Sequence, residues 1–232
     1  MKSRTKLSAV MALASLVMLQ HESLKAQTIP SPYRYIETRQ EVDLFGGSTS
    51  PGTGRFGFGP APSPAWGARY SVNVSGPFGL EGVVTHFPGN RDIVDPGRAE
   101  GDRVIGEMSS QLIQIDGRLR FSLTGNRTWH GIAPFVLTGG GVVFDVSDDN
   151  SDEEILLAGD RFSFGTSFVG VLGGGVRWFP TDRILVRGDV AFSLHQLKTP
   201  QGYSDPERAF TGVDEKEWVS GLSFTLGLGY RF

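Results

Sequence analysis

Apolar and polar residues alternate along most of the chain, and the alternation is clearest over its last twelve residues. Every second position there is apolar or aromatic, at Leu222, Phe224, Leu226, Leu228, Tyr230 and Phe232. The positions between them hold only glycine, serine, threonine and Arg231. Successive side chains of a β-strand point to opposite faces. The segment is therefore predicted to be a strand with one apolar face and one small or polar face.

The same period of two divides the chain into eight predicted strands. They cover residues 41–47, 65–75, 80–87, 104–123, 132–146, 164–179, 184–197 and 218–232. In the fifth strand the run Gly139-Gly140-Gly141 leaves open which positions share a face. Short connections alternate with long segments, which cover residues 48–64, 88–103, 147–163 and 198–217. The alternation predicts an antiparallel up-and-down sheet with all its long loops at one end.

The N-terminus has the pattern of an export signal. Lys2, Arg4 and Lys6 precede the apolar run 8–19, which is too short to span a bilayer as a helix, and Ala26 offers a small residue for cleavage. We predict a signal peptide at residues 1–26, a lead-in at 27–40 and one β-domain at 41–232. The alternative for the first segment is an N-terminal anchor helix.

Charge and composition narrow the function classes. Cleavage after residue 26 removes four of the 22 Lys and Arg and one of the 25 Asp and Glu, which leaves a net charge of −6. This charge argues against nucleic acid as a partner. The chain has no cysteine, which excludes disulfides, thiol chemistry and a lipid-modified N-terminal cysteine. The slightly negative mean hydropathy still allows a membrane barrel, because alternating strands average out in any window.

Three segments resemble the small bacterial outer-membrane β-barrel proteins of the OmpA-like and OmpX-like type: the closing strand 221–232, the hairpin 173–183 and the strand 184–194 that follows it. The resemblance implies an all-β, eight-stranded antiparallel up-and-down transmembrane β-barrel in the outer membrane, with both chain termini of the barrel on the periplasmic side. It implies outer-membrane lipid and lipopolysaccharide as partners. It also implies that the barrel-assembly machinery, served by periplasmic chaperones, reads the closing strand that ends on Phe232. Because the chain ends there, we expect no peptidoglycan-binding domain, unlike in full-length OmpA-like proteins.

Alternation alone does not say which face points outward. A soluble, lipocalin-like barrel would place its apolar face inside. Aromatic residues near the strand ends favour the opposite arrangement, since outer-membrane barrels carry aromatic girdles at both interfaces. So do the charges on the polar faces, which fit a lumen: Arg69, Glu81, Asp116, Arg118, Arg120, Arg177, Arg187, Asp189 and Arg231. We therefore predict an apolar exterior and a charged interior.

The interior of an eight-stranded barrel is only just wide enough for side chains to fill it. With Glu41, Asp43 and Asp145 added, the predicted inward residues comprise six arginines and six acids. Buried charges are costly unless they are paired, so we predict an ion-pair network that plugs the lumen. The alternative is a narrow passive channel for small or hydrophobic solutes.

Support for catalysis is thin. After cleavage only His86, His130 and His195 remain, and no G-x-S-x-G nucleophile turn is present. His195 and Ser193 share a strand face, which keeps a lipid-acting enzyme as the least favoured alternative. We predict no catalytic residue, cofactor or metal site. The predicted role is structural, or one of surface interaction through the four long loops.

Overall fold

The structure is a computed structural model, and it describes residues 31–36, 40–147, 151–208 and 210–232. Residues 32–232 belong to one compact unit. The predicted signal peptide and most of the predicted lead-in lie outside the described residues. Among the described residues, helices are restricted to three short 3-10 turns, at Ser151–Ile155, Gln201–Ser204 and Pro206–Arg208. A search of the same residues found no helix with the length and apolar character of a membrane span.

Eight long strands and two short ones form a single antiparallel sheet. The strands are β1 (Tyr33–Tyr35), β2 (Gln40–Pro51), β3 (Ser63–Ser75), β4 (Phe78–Val94), β5 (Val104–Ser122), β6 (Arg127–Trp129), β7 (Ile132–Asp145), β8 (Thr166–Trp178), β9 (Ile184–Lys198) and β10 (Lys216–Arg231). Each long strand pairs with the next, and β10 pairs with β2, which closes the barrel. The predicted fold class, an eight-stranded antiparallel up-and-down barrel, is confirmed.

The long connections gather at one end of the barrel, here called the loop end, and the short ones at the other, the turn end. The largest error in the predicted strand limits is in β4, which runs on to Val94 instead of ending at Phe87. Pro88 and Gly89 look like a strand terminus in the sequence. However, the ladder between β3 and β4 stops at the pair Trp66 and His86. On that side β4 has no strand partner again until residues 60 and 61 pair with Arg91 and Asn90, so a proline without an N–H is tolerated at position 88.

A short ribbon at the turn end was not predicted. Residues 124–131 were expected to be a plain turn, but they contain β6, which pairs with β1 in register. The backbone N–H of Ile36 also donates to the Asn126 carbonyl at 2.9 Å. Gly131, with φ +78°, allows the tight reversal from β6 into β7. The segment around β1 is thereby held against the turn end of the barrel.

The two faces of the sheet differ as the alternation predicted. On β10 the exposed fraction is 67% for Leu226 and 63% for Leu228, whereas Arg187 on the neighbouring strand is 0% exposed. The open phase of β7 is also settled. Ala133, Phe135 and Leu137 are buried inside, so the odd positions face inward. A Cβ atom on the inward-facing Gly139 would lie 2.3 Å from the Gly117 carbonyl oxygen of β5, which explains the glycine there.

Candidate functional site

The barrel interior is the candidate site, and it is filled in three layers between the turn end and the loop end. The first, called the floor, is apolar and consists of Ala133, Phe179 and Leu185, with Ile36 packed against them. The second, the charged layer, holds the buried arginines and carboxylates. The third, the cap, is an aromatic cluster contributed by the long loops. The sequence predicted only the charged layer.

Arg187 lies at the centre of the charged layer. Its Nη1 and Nη2 atoms donate to the two carboxylate oxygens of Glu81 at 2.7 and 3.0 Å. Its Nε atom donates to Asp189 at 2.9 Å. The guanidinium also stacks on Phe135, with its carbon 4.4 Å from the ring centroid. Such two-pronged pairs are the strong form of the arginine–carboxylate contact, and Arg187 has two carboxylates.

Glu41 forms the second centre of the charged layer, nearer the turn end. Its carboxylate oxygens lie 3.2 Å from Arg177 Nη1, 3.4 Å from Arg120 Nη1 and 3.4 Å from Arg231 Nε. Arg120 Nη1 is also 3.2 Å from Glu81, so it joins the two centres. One carboxylate therefore serves three guanidinium groups.

The charged layer extends toward the loop end through Arg69. Arg69 Nη1 lies 3.2 Å from Asp189 and 3.5 Å from Asp43. Arg118 and Asp116 form a separate pair, and Gln114 Nε2 donates to Asp116 at 2.8 Å. The structure thus places all nine predicted lumen residues inside the barrel, with seven of them in one connected network.

The charge balance differs from the predicted six and six. Among the described residues, the connected network holds five arginines and four carboxylates, namely Arg69, Arg120, Arg177, Arg187 and Arg231 with Glu41, Asp43, Glu81 and Asp189. Asp145 is not part of it: its carboxylate accepts a hydrogen bond from the Ser147 N–H at 2.8 Å, where β7 ends. The described residues of the connected network therefore carry a net charge of +1.

The cap lies at the loop end of the barrel. Phe56 and Tyr203 approach to 4.4 Å between ring centroids, and Phe58 and Phe162 to 4.6 Å. These rings come from three different loops, and Phe210 packs on two of them. The loops were predicted only as surface segments. The five aromatic residues in them were the signal that could have indicated a packed cap.

Two ion pairs hold the cap. Arg91 Nη2 lies 2.7 Å from the Glu153 carboxylate, and both side chains are buried. Arg208 makes two hydrogen bonds to Asp160, at 2.5 and 2.9 Å. Since these pairs join residues 48 or more positions apart, they tie the loops together as well as satisfying the charges.

The environment of Tyr203 predicts that the stability of the cap decreases at high pH. Its ring is buried, its hydroxyl oxygen has no hydrogen-bond partner, and burial raises the pKa of Tyr203 to about 12. A pKa above the ordinary value of 10.0 means that the folded cap holds the proton more tightly than the unfolded chain. The stabilisation is complete below about pH 10 and is lost as the pH rises from about 10 to about 12.

We therefore expect proteolysis of the loops to accelerate steeply between about pH 10 and about pH 12 in the wild-type barrel. Tyr203→Phe removes the titrating hydroxyl and keeps the ring, so it should flatten this dependence. It should also leave the cap at least as stable at pH 8, because an unpaired buried hydroxyl is removed. The rate of loop cleavage as a function of pH, measured for both chains, checks the prediction; parallel profiles would contradict it.

A small cavity of about 40 Å³ lies between the charged layer and the cap. Ser193 and His195 line it together with Gln114. The Nε2 atom of His195 has no hydrogen-bond partner, and Ser193 Oγ makes only a 3.5 Å contact with the Gly221 carbonyl. Within the described part of the chain no carboxylate pairs with His195, so these residues lack the acid member of a Ser-His-acid triad. His86 points outward and packs edge-on against Trp66.

The closing strand lines the outside of the barrel. Leu222, Phe224, Leu226, Leu228, Tyr230 and Phe232 are all exposed on the outer face. The Phe232 N–H donates to the Gln40 carbonyl at 3.1 Å, and Arg231 Nη1 donates to the Asp182 carbonyl at 3.2 Å. The end of the chain is therefore built into the seam between β10 and β2. That this strand is an assembly signal stays a prediction.

Comparison with known proteins identifies the fold. The outer membrane protein OprG from Pseudomonas aeruginosa is similar, with a TM-score of 0.51 and 15% identity over 84% of this chain and 97% of that one. Outer Membrane Protein W from E. coli scores 0.48 at 16% identity, covering 84% of this chain and 99% of that one. Neisserial surface protein A scores 0.47 at 11% identity, covering 87% and 98%. No protein-family model and no curated protein matches the sequence.

The similarity to OprG shows that the chain has the fold of a small outer-membrane β-barrel protein. The resemblance predicted from the closing strand and the glycine-rich hairpin is thus confirmed at the level of fold. Fold by itself does not specify a ligand or a partner.

Proposed function

We propose that the chain is an integral outer-membrane β-barrel protein with a closed lumen, which serves the envelope as a structural or surface-interaction protein rather than as an enzyme. The observation that carries this proposal is that the distribution of polar and apolar side chains is the reverse of that in a soluble barrel. The five networked arginines lie inside, and large apolar side chains are exposed along the outer face of the strands. In this orientation the turn end, where the chain enters β2 and leaves β10, lies in the periplasm, and the long loops lie at the cell surface.

The exterior supports a lipid environment. Soluble monomers rarely expose apolar patches larger than a few hundred Å². Here exposed apolar side chains continue around the barrel, for example Leu44 at 69%, Leu172 at 63% and Leu226 at 67%. Exposed Trp66 and Trp218 lie toward the loop end, and exposed Trp178 and Tyr230 toward the turn end. This matches the two aromatic girdles of outer-membrane barrels.

The interior supports a closed lumen rather than a channel. A solute would have to pass the cap, the charged layer and the floor. Arg177 and Arg187 are 1% and 0% exposed, which supports a charged layer without an open path. Separating them from Glu41 and Glu81 would leave buried charges without partners, which is costly. The partners proposed for the exterior are outer-membrane lipid and lipopolysaccharide, with the assembly machinery and periplasmic chaperones acting during insertion.

Two measurements test the proposal. The full chain is expressed with its export signal, and the membrane fraction is extracted with detergent and run on gels with and without heating. We expect a heat-modifiable band, because closed barrels stay folded until heated. A processed chain that is freely soluble without detergent would contradict the membrane assignment.

The closed lumen is tested in planar bilayers. We expect no steady unitary conductance from the purified barrel, because the three layers occlude the lumen. A channel-forming porin, purified and reconstituted in the same way, serves as the positive control. A reproducible conductance step that appears with this barrel and scales with its concentration would overturn the closed lumen and favour the channel alternative.

A further inference from the structure

The turn end contains a cavity that has no role in the proposed function. This cavity, here called the vestibule, has a volume of about 360 Å³. It lies between the β3–β4 turn, the end of β5 and Ile36, and its polar lining residues are Asn73, Ser75, Ser122, Asn126 and Arg177. Its volume is within the range of small-molecule sites, about 300–1,000 Å³.

Arg177 is the one charged residue among the described residues that line the vestibule. It is 1% exposed, and its Nε atom has no hydrogen-bond partner, whereas its Nη1 atom is bound to Glu41. Ser122 is also buried and lines the vestibule, and its hydroxyl has no partner. A buried guanidinium and a buried hydroxyl therefore both have unused hydrogen-bonding capacity beside this cavity.

The part of the charged layer next to the vestibule has more arginines than carboxylates. Glu41 is the single carboxylate shared by Arg177, Arg120 and Arg231. Arg120 also donates to Asn73, whose side chain lines the vestibule, at 2.5 Å. Glu81 offsets part of the charge of Arg120, but it is already bound in two-pronged fashion by Arg187. The excess positive charge of the connected network thus lies at the turn end, next to the vestibule.

We propose that the vestibule binds a small anion with two or more acceptor oxygens, a carboxylate or phosphate group, against Arg177. Arginine is suited to such groups because its fork of donors matches their geometry. No carboxylate is among the described residues that line the vestibule. Serine hydroxyls and the Asn126 amide supply further donors. The bound anion offsets the positive excess that the four carboxylates of the connected network leave.

The test uses the full processed chain folded in zwitterionic micelles, with inorganic phosphate and acetate as probes. Sodium chloride keeps the ionic strength constant. The backbone amide resonances of Ser122, Gly125 and Asn126 are followed by NMR during each titration. Saturable shifts with at least one probe are expected, confined to the turn end. Shifts that grow linearly without saturation, or that spread evenly over the barrel, would overturn the proposal.

A matched pair of variants makes the test specific. Asn126→Asp adds a negative charge to the vestibule, and we expect it to raise the Kd of the anion at least tenfold. Asn90→Asp makes the same change at an exposed position near the loop end and should leave the Kd unchanged. If Asn126→Asp loses the heat-modifiable folded band, Ser75→Asp, in the neighbouring turn, replaces it. Equal affinities for the vestibule variant and Asn90→Asp would refute an anion site at Arg177.

Discussion

Leu226→Arg is expected to prevent stable insertion of the barrel. Leu226 is 67% exposed on the outer face of β10, one outward position past the midpoint of the row that runs from Trp218 to Tyr230. An arginine that faces lipid near the bilayer centre costs about 2–4 kcal/mol, and the cost falls to about 0–1 kcal/mol near the interfaces. The yield of heat-modifiable protein after folding into lipid vesicles, and the free energy of unfolding in urea, measure the effect.

Ser220→Arg is the matched control for depth. Ser220 lies on the same strand and is also exposed, but it is next to the girdle residue Trp218 along the outer face. The same substitution there should cost much less. An inward control at Gly227 would be unsuitable, because a Cβ atom there would lie 3.0 Å from Asp43 Oδ1 and the site is crowded. If Leu226→Arg inserts as efficiently as Ser220→Arg, the outer face does not meet lipid.

Arg187→Met is expected to have the second large effect. It removes the partner of Glu81 and Asp189 from a site that is 0% exposed. Removing one partner of a buried ion pair costs about 3–5 kcal/mol, since the remaining charge stays buried without compensation. The free energy of unfolding in urea should fall by that order. Adding Glu81→Gln should recover part of the loss, because it neutralises one of the two carboxylates left behind.

Arg98→Met is the surface control for this prediction. Arg98 Nε lies 3.3 Å from Asp95, and the Arg98 side chain is 55% exposed. Exposed pairs contribute about 0–1 kcal/mol, so the same substitution should change stability little. Comparable losses for Arg98→Met and Arg187→Met would mean that the charged layer does not stabilise the barrel.

Much of the barrel could be read from local sequence. The inward arginines and carboxylates and the outward leucines were assigned from alternation alone, because a strand puts neighbours on opposite faces whatever it pairs with. In the fifth predicted strand, β7, alternation could not assign the inward and outward positions, because both faces are apolar, with Val136 outside and Phe135 inside. There, only the packing against β5 and β8 distinguishes the faces.

Other features depend on contacts between distant segments. The pairing of β1 with β6 joins residues more than 90 positions apart, and three residues per strand are too few for a recognisable pattern. The extension of β4 beyond Pro88 depends on where its neighbour β3 ends. The aromatic cap required loops of unknown conformation to converge, so its five rings looked unrelated in the sequence.

The sequence by itself determined the number of long strands, their order, the face of most side chains and the charged character of the interior. Those properties follow from the period of two, which is a local geometric consequence of extended backbone. The tertiary structure alone decided that Arg187 meets Glu81, 106 positions away, that Glu41 serves three arginines and that Asp145 serves none of them. Such partnerships depend on the stagger of strands across a closed barrel, because the stagger sets the height of each side chain in the lumen.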